Sequence, residues 1–151
     1  MGIYPSMKAL LQRVSKASVK VGRSNVGAIG PGLLVLLGVD QEDSRETVTV
    51  LVEKTLNYRI FPDKEGKMNL NVQEAGGEVL VVSQFTLSAD TRKGLRPSFS
   101  SAAPPLQAEM FYLAYVEEVR EKLGKVETGQ FGADMKVSLV NNGPVTFLLE
   151  A

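Results

Sequence analysis

From Met7 to Val21 apolar and polar residues alternate, the pattern of a strand that buries one face. Ala9, Leu11, Arg13 and Ser15 fall on one face and Leu10, Gln12 and Val14 on the other; Val19 and Val21 resume the alternation after a break. Gly22-Arg23-Ser24-Asn25 is turn chemistry, and Val26 to Ile29 reads as the return strand of a hairpin. After Gly30-Pro31-Gly32, the continuous apolar run Leu33 to Val39 predicts a strand covered on both faces. The period then changes. Within Asp43 to Tyr58, Val48, Leu51, Val52 and Thr55 recur at helical spacing, and Asp43 with Glu46 resembles a capping box.

Ile60-Phe61-Pro62 is followed by a polar turn over Lys64-Glu65-Gly66-Lys67, and Glu78 to Phe85 is a second buried strand. Residues 89–101 read as a loop. A second helix begins near Pro104-Pro105, carries Tyr112, Val116, Val119 and Leu123 on one face, and stops at Gly124. Lys136 to Val140 and Val145 to Leu149 are strands separated by Asn141-Asn142-Gly143-Pro144. This order predicts a single mixed α/β domain, a mostly antiparallel β-barrel-like sheet with two packed helices. It is not the repeating βαβ of a doubly wound sheet, and no Gly-rich phosphate fingerprint follows a strand. Residues 1–6 read as an N-terminal extension and 7–151 as the domain.

Composition narrows the chemistry. The 151 residues include no Cys and no His. That excludes a disulfide scaffold, a Cys nucleophile, a Ser-His-Asp triad and any Cys- or His-ligated metal. No metal and no cofactor is expected. Seventeen basic residues balance 17 acidic ones, so a broad electrostatic grip on duplex nucleic acid is not expected, whereas recognition of a short RNA end is compatible with this balance. No apolar run reaches membrane-spanning length, and MGIYPS has neither the charged start nor the apolar stretch of a signal peptide. A cytoplasmic protein without membrane contact is the expectation.

Five places stand out. Ser83-Gln84-Phe85-Thr86 is a polar cluster at the end of a buried strand, where side chains and backbone N–H groups can meet a substrate; a strand that merely leaves the core gives the same pattern. Asn142-Gly143 between alternating runs is a strong hairpin signal. Pro144 complicates it by fixing φ and removing a donor, and a cis Gly-Pro bond would turn two carbonyls the same way. Arg13 is a lone charge among apolar neighbours, readable as a rim or salt-bridge residue. Phe131, between Gly129 and Gly132, is either a core anchor or a stacking platform for a base. Arg92, Lys93 and Arg96 can meet phosphates or simply lie in solvent.

Together, SQFTLSAD at 83–90, LRPSFS at 95–100, FPDKEGKMNLNV at 61–72 and SLVNNGPVTF at 138–147 resemble the D-aminoacyl-tRNA deacylase family of the bacterial and eukaryotic type. The resemblance runs from Met7 to the C-terminus in the family's order. It implies a compact barrel-like domain and a homodimer with the active site at its interface. The implied activity is hydrolysis of D-aminoacyl-tRNA and of glycyl-tRNA, with the aminoacyl-tRNA 3′ end as partner. Ser83, Gln84, Phe85 and Thr86 match the motif beside the scissile ester. Gly143 and Pro144 match the Gly-cisPro pair that reaches into the opposite subunit and rejects L-amino acids, and Arg13 matches the arginine that holds it. Phe131 matches a residue near the terminal adenosine. Participation of the tRNA 2′-hydroxyl suits a chain without His better than Thr86 as nucleophile. Two alternatives come from other classes: a non-catalytic RNA-end binding module that uses the same pocket, and a structural dimer whose motifs are only strand ends and turns.

Overall fold

The computed structural model describes residues 6–151, so residues 1–5 of the expected extension lie outside the described residues. Ser6, the last residue assigned to that extension, hydrogen-bonds through Oγ to Glu150. The fold is built on β1 (Lys8–Val21), β2 (Ser24–Ile29), β3 (Gly32–Gly38), β4 (Phe61–Pro62), β5 (Met68–Leu70), β6 (Glu78–Ser83), β7 (Glu127–Thr128) and β8 (Met135–Glu150). The helices are α1 (Arg45–Asn57) and α2 (Pro105–Leu123), with a 3-10 turn at Phe85–Ser88.

β1 is the organising strand. Its first half pairs antiparallel with β3, its second half with β2, and its whole length with β8. β3 then pairs parallel with β6, and β6 parallel with β7. The parallel steps are two crossovers, each carrying one helix, which the sequence pattern did not reveal. Both helices cover the same face, so the sheet is not doubly wound.

Alternation sorts the side chains of the central strands. Leu33, Val35, Val79 and Val81 face the helices and pack with Leu51, Val52, Tyr115 and Val119. Leu34, Leu80 and Val82 point the other way and meet Val14, Val19 and Ile29. That second core is closed by the sheet itself, because the far half of β1 curls over with β2. The two ends of the sheet approach where Ala28 N–H donates to the Glu127 carboxylate at 3.3 Å. The result is the nearly closed barrel-like sheet with two helices that the pattern predicts.

The helices are locked by satisfied polar contacts. Tyr115 is fully buried, and its hydroxyl donates to Thr55 Oγ1 at 2.8 Å, which donates on to the Leu51 carbonyl at 2.8 Å. Such relays are needed because a buried hydroxyl without a partner costs about 1–3 kcal/mol.

Local details differ from the sequence pattern. The α1 capping box uses Ser44 and Thr47 rather than Asp43 and Glu46. Asp43 is committed elsewhere: its carboxylate accepts from Met7 N–H at 2.9 Å and from Asp40 N–H at 2.8 Å. Burial, aided by the neighbouring Asp40 charge, pushes the Asp43 carboxyl up to about 6 despite these donors. Strand β6 stops at Ser83, two residues early, and the chain turns into the 3-10 segment.

The largest correction concerns Asn141–Pro144. This segment is not a hairpin turn, because both of its flanks pair with β1 and β8 continues through it. The register passes from Gln12↔Thr146 to Val14↔Asn141. The single residue Arg13 is therefore faced by four residues, Asn142 to Val145, which bulge from the sheet.

Candidate active site

The end of β6 is fixed by the end of β3. Gln84 N–H donates to the Leu37 carbonyl at 2.8 Å, and buried Ser88 Oγ donates to the Val39 carbonyl at 3.2 Å. Gly38 permits this close approach: a Cβ there would lie 2.9 Å from Leu87 Cβ and 3.3 Å from the Gln84 carbonyl oxygen. The chain must turn sharply at this point, and the 3-10 segment places Phe85 outward, 60% exposed. Its ring lies 5.2 Å from that of Phe99. Gln84 Nε2 donates to Thr86 Oγ1. The N–H groups of Phe85 and Thr86 have no acceptor among the described residues, as at the start of any helical turn.

These residues border a cavity of about 680 Å³, within the range of ordinary ligand sites. Ser83, Gln84 and Phe85 form one wall, Phe99 and Ala108 a second, and Phe131 a third. The structure thus brings together, from two distant stretches, four of the residues singled out in the sequence, Ser83, Gln84, Phe85 and Phe131; Thr86 adjoins them through Gln84. Sequence reasoning missed Met135 and Val137, which line the same cavity from β8. Phe99 carried a signal only as part of the LRPSFS stretch.

Phe131 sits on a short turn closed by Ala133 N–H donating to the Gln130 carbonyl at 3.2 Å, with Gly132 at φ +77°. One side of its ring lies 5.7 Å from buried Tyr112. It is therefore anchored against the core on one side and open to the cavity on another.

Arg13, Gly143 and Pro144 form a second cluster, and none of them lines the cavity. Arg13 Nε donates to the Asn142 carbonyl at 2.9 Å, and its Nη1 donates to the Ile60 carbonyl at 2.7 Å. Arg13 makes no salt bridge among the described residues; its partners are main-chain oxygens. The Gly143–Pro144 peptide is cis. Gly143 has φ +147°, and a Cβ on it would lie 2.5 Å from Val145 Cγ2 and 3.3 Å from Arg13 Nη2. Only glycine fits that conformation and that space.

The basic loop is uneven. Arg92 donates twice to Asp90, at 2.9 Å each, and holds that carboxyl well below the usual range. Lys93 and Arg96 are exposed and make no ion pair among the described residues. None of the three lines the cavity. Among the described residues, no three Asp or Glu side chains are grouped to hold a metal ion, and no helix is long and apolar enough to cross a membrane.

A profile of the D-Tyr-tRNA(Tyr) deacylase family matches residues 10–150. The chain is also 58% identical over 145 residues to a D-aminoacyl-tRNA deacylase of Azotobacter vinelandii, covering 96% of this chain and 100% of the relative. The chain belongs to this deacylase family. It is accordingly a hydrolase acting on an ester bond, in translation proofreading. A D-aminoacyl-tRNA deacylase of Haemophilus influenzae is 62% identical over 143 residues, covering 95% of this chain and 99% of the relative. A solved structure titled c-Myc DNA unwinding element binding protein is 44% identical, with a TM-score of 0.91 over 95% of this chain and 98% of that one. Another, titled as a probable eukaryotic D-amino acid tRNA deacylase, shares the fold at 18% identity, with a TM-score of 0.85 over 97% and 100% of the two chains.

Proposed function

We propose that the deacylase cleaves D-aminoacyl-tRNA and glycyl-tRNA at the cavity beside Ser83–Thr86, and that it rejects L-aminoacyl-tRNA through Gly143 and Pro144 of a second copy of the chain. The observation that carries this reading is the separation of two preorganised clusters. The cavity has apolar walls and free N–H groups. The bulge at Asn142–Pro144 is exposed, braced by Arg13 and absent from the cavity of its own chain. A second copy is the means by which the bulge meets an ester. The outer positions of β8 that flank the bulge, Val140, Phe147 and Leu148, are exposed apolar residues, which supports docking of that copy along β8.

The chemistry asks little of side chains. Water adds to the ester carbonyl, the carbon–oxygen bond to the ribose breaks, and the ribose oxygen leaves with a proton. The adjacent 2′-hydroxyl is positioned by the substrate's own ribose, which supplies a proximity advantage without a His. The N–H groups of Phe85 and Thr86 stabilise the oxyanion, at about 3 kcal/mol per donor. Phe131 supports the terminal adenosine, and Lys93 and Arg96, with Arg92 less available, face the RNA backbone. In the partner's bulge, fixed backbone carbonyls receive the ammonium group of a D-residue. An L-residue would direct its side chain into them, and glycine has no side chain to exclude. With 17 basic and 17 acidic residues, the chain has no net charge to hold a nucleic-acid duplex.

The test is amino-acid release from matched D-aminoacyl-, L-aminoacyl- and glycyl-tRNA at substoichiometric protein, with the mass in solution measured alongside. Release from the D- and glycyl substrates by a dimer is expected. Equal rates on the D- and L-substrates, or full activity as a monomer, would overturn the proposal.

A further inference from the structure

The bulge at Asn142–Pro144 has a neck, and one side chain closes it. Asn141 and Thr146, on its two sides, pair with Val14 and Gln12 of β1. Those partners are two strand residues apart, so the limbs of the bulge stand roughly 7 Å from one another, within reach of a short side chain. Asn141 spans the gap. Its Oδ1 accepts from Val145 N–H at 2.7 Å, and its Nδ2 donates to the Val145 carbonyl at 3.3 Å and to Thr146 Oγ1 at 3.0 Å. The amide thus exchanges both bonds with one residue, as paired residues do across an antiparallel ladder.

The residue it grips is itself anchored. Val145 is buried in the core beneath the helices, whereas Asn142, Gly143 and Pro144 are exposed. Arg13 holds the first limb through the Asn142 carbonyl. The Asn141 amide ties that limb to the second, and so to the core. Asn141 does not line the cavity beside Ser83–Thr86.

We propose that Asn141 is a positioning residue for stereospecificity: by closing the neck, it sets the place of the carbonyls with which the bulge screens an aminoacyl ester held by a second copy of the chain. The inference rests on the proposed role of that bulge. Rejection of an L-residue is steric, so it weakens once the limbs are free to part. The bonding pattern requires an amide, which offers a donor and an acceptor side by side. A carboxylate would keep the bond from Val145 N–H and set an acceptor against the Val145 carbonyl; a methyl group would make neither bond. Thr146→Val removes only the outermost of the three bonds.

The experiment measures kcat and KM on matched D- and L-aminoacyl-tRNA for wild type, Asn141→Ala, Asn141→Asp and Thr146→Val, with thermal unfolding of each. In Asn141→Ala the ratio of kcat/KM on the D- over the L-substrate is expected to fall about tenfold. The loss on the D-substrate is expected in KM, and the rate on the L-substrate is expected to rise above that of wild type. Loss of folded protein cannot produce that rise, because it lowers both rates by one factor. Asn141→Asp is expected to lose selectivity in the same direction, and Thr146→Val to shift the ratio only about twofold. Where Asn141→Ala fails to fold, the other two variants are read by the same ratio. A wild-type ratio in the folded variants would overturn the positioning role and leave that of the bulge standing. Equal rates of the wild-type protein on the D- and L-substrates would instead remove the reading of the bulge, and the role of Asn141 with it.

Discussion

Replacing Arg13 with Ala removes two hydrogen bonds of different kinds. The bond to the Asn142 carbonyl is exposed, and a charged donor there contributes about 1 kcal/mol. The bond to the Ile60 carbonyl is half-buried, and Ile60 itself is 2% exposed. A charged donor in that setting contributes about 2 kcal/mol, because its loss strands a buried acceptor. The sum is about 3 kcal/mol of stability. For a chain of this size that corresponds to a fall in Tm of roughly 6–12 °C.

Only the Asn142 share acts on the bulge. If that share sets how often Gly143 and Pro144 are correctly held, the loss in kcat/KM on D-substrates is about fivefold, far less than the full stability change would give. Arg13→Lys offers one ammonium where two carbonyls are served and is expected to fall between wild type and Ala. Denaturant unfolding measures the first quantity, and deacylation at a temperature well below the variant's Tm measures the second. Unchanged stability in Arg13→Ala would refute the bracing argument. A full loss of D-substrate turnover in a folded variant would show that Arg13 contacts substrate instead.

Ser83→Ala and Thr86→Ala are each expected to retain measurable turnover, whereas a substrate with the terminal 2′-hydroxyl replaced by hydrogen loses far more; abolished activity in folded Thr86→Ala would restore Thr86 as nucleophile. Gly143→Ala is expected to lose both stability and D-substrate turnover, because its Cβ would meet Val145 and Arg13; wild-type melting would contradict the geometry. The folded-state pKa of Asp43 is raised to about 6, so its protonated form favours folding. Its contribution is complete below about pH 4 and is lost as pH rises through 6. The stability of wild type relative to Asp43→Asn should therefore decline between pH 4 and 7, and a flat or rising difference in pH-resolved unfolding would refute it.

What the sequence made legible was the part governed by local period. Leu33 to Leu37 had to be a buried strand, and Val48, Leu51 and Val52 had to share a helix face, whatever surrounded them. The parallel pairing of β3 with β6 had no local signal, since it depends on where the helices carry the chain. Asp43 looked like a cap because its spacing to Glu46 allowed it; a distant amide, that of Met7, claimed its carboxylate. Asn142-Gly143 looked like a hairpin because turn residues do not report which strand their flanks will pair with. The site divides in the same way. Ser83–Thr86 was visible as polarity at the end of an apolar run, while Met135 and Val137 reached the cavity only through the register of β8 on β1.

A chain without His or Cys has few side chains able to carry a reaction, and the geometry shows where the effort is placed instead. The Leu37 and Val39 carbonyls hold the segment that carries Phe85 and Thr86. Arg13, the one charge in the LQRVS stretch of β1, is used on two main-chain oxygens rather than on a carboxylate. In both clusters the ordered object is backbone, whose N–H and carbonyl groups have fixed positions and no rotamers to lose. Discrimination by such groups depends on keeping them in place to within a fraction of an ångström. Sensitivity to mutation should therefore concentrate at Gly38, Arg13 and Gly143, which let the backbone approach or hold it there, more than at the hydroxyls of Ser83, which lines the cavity, and of Thr86, which adjoins it through Gln84.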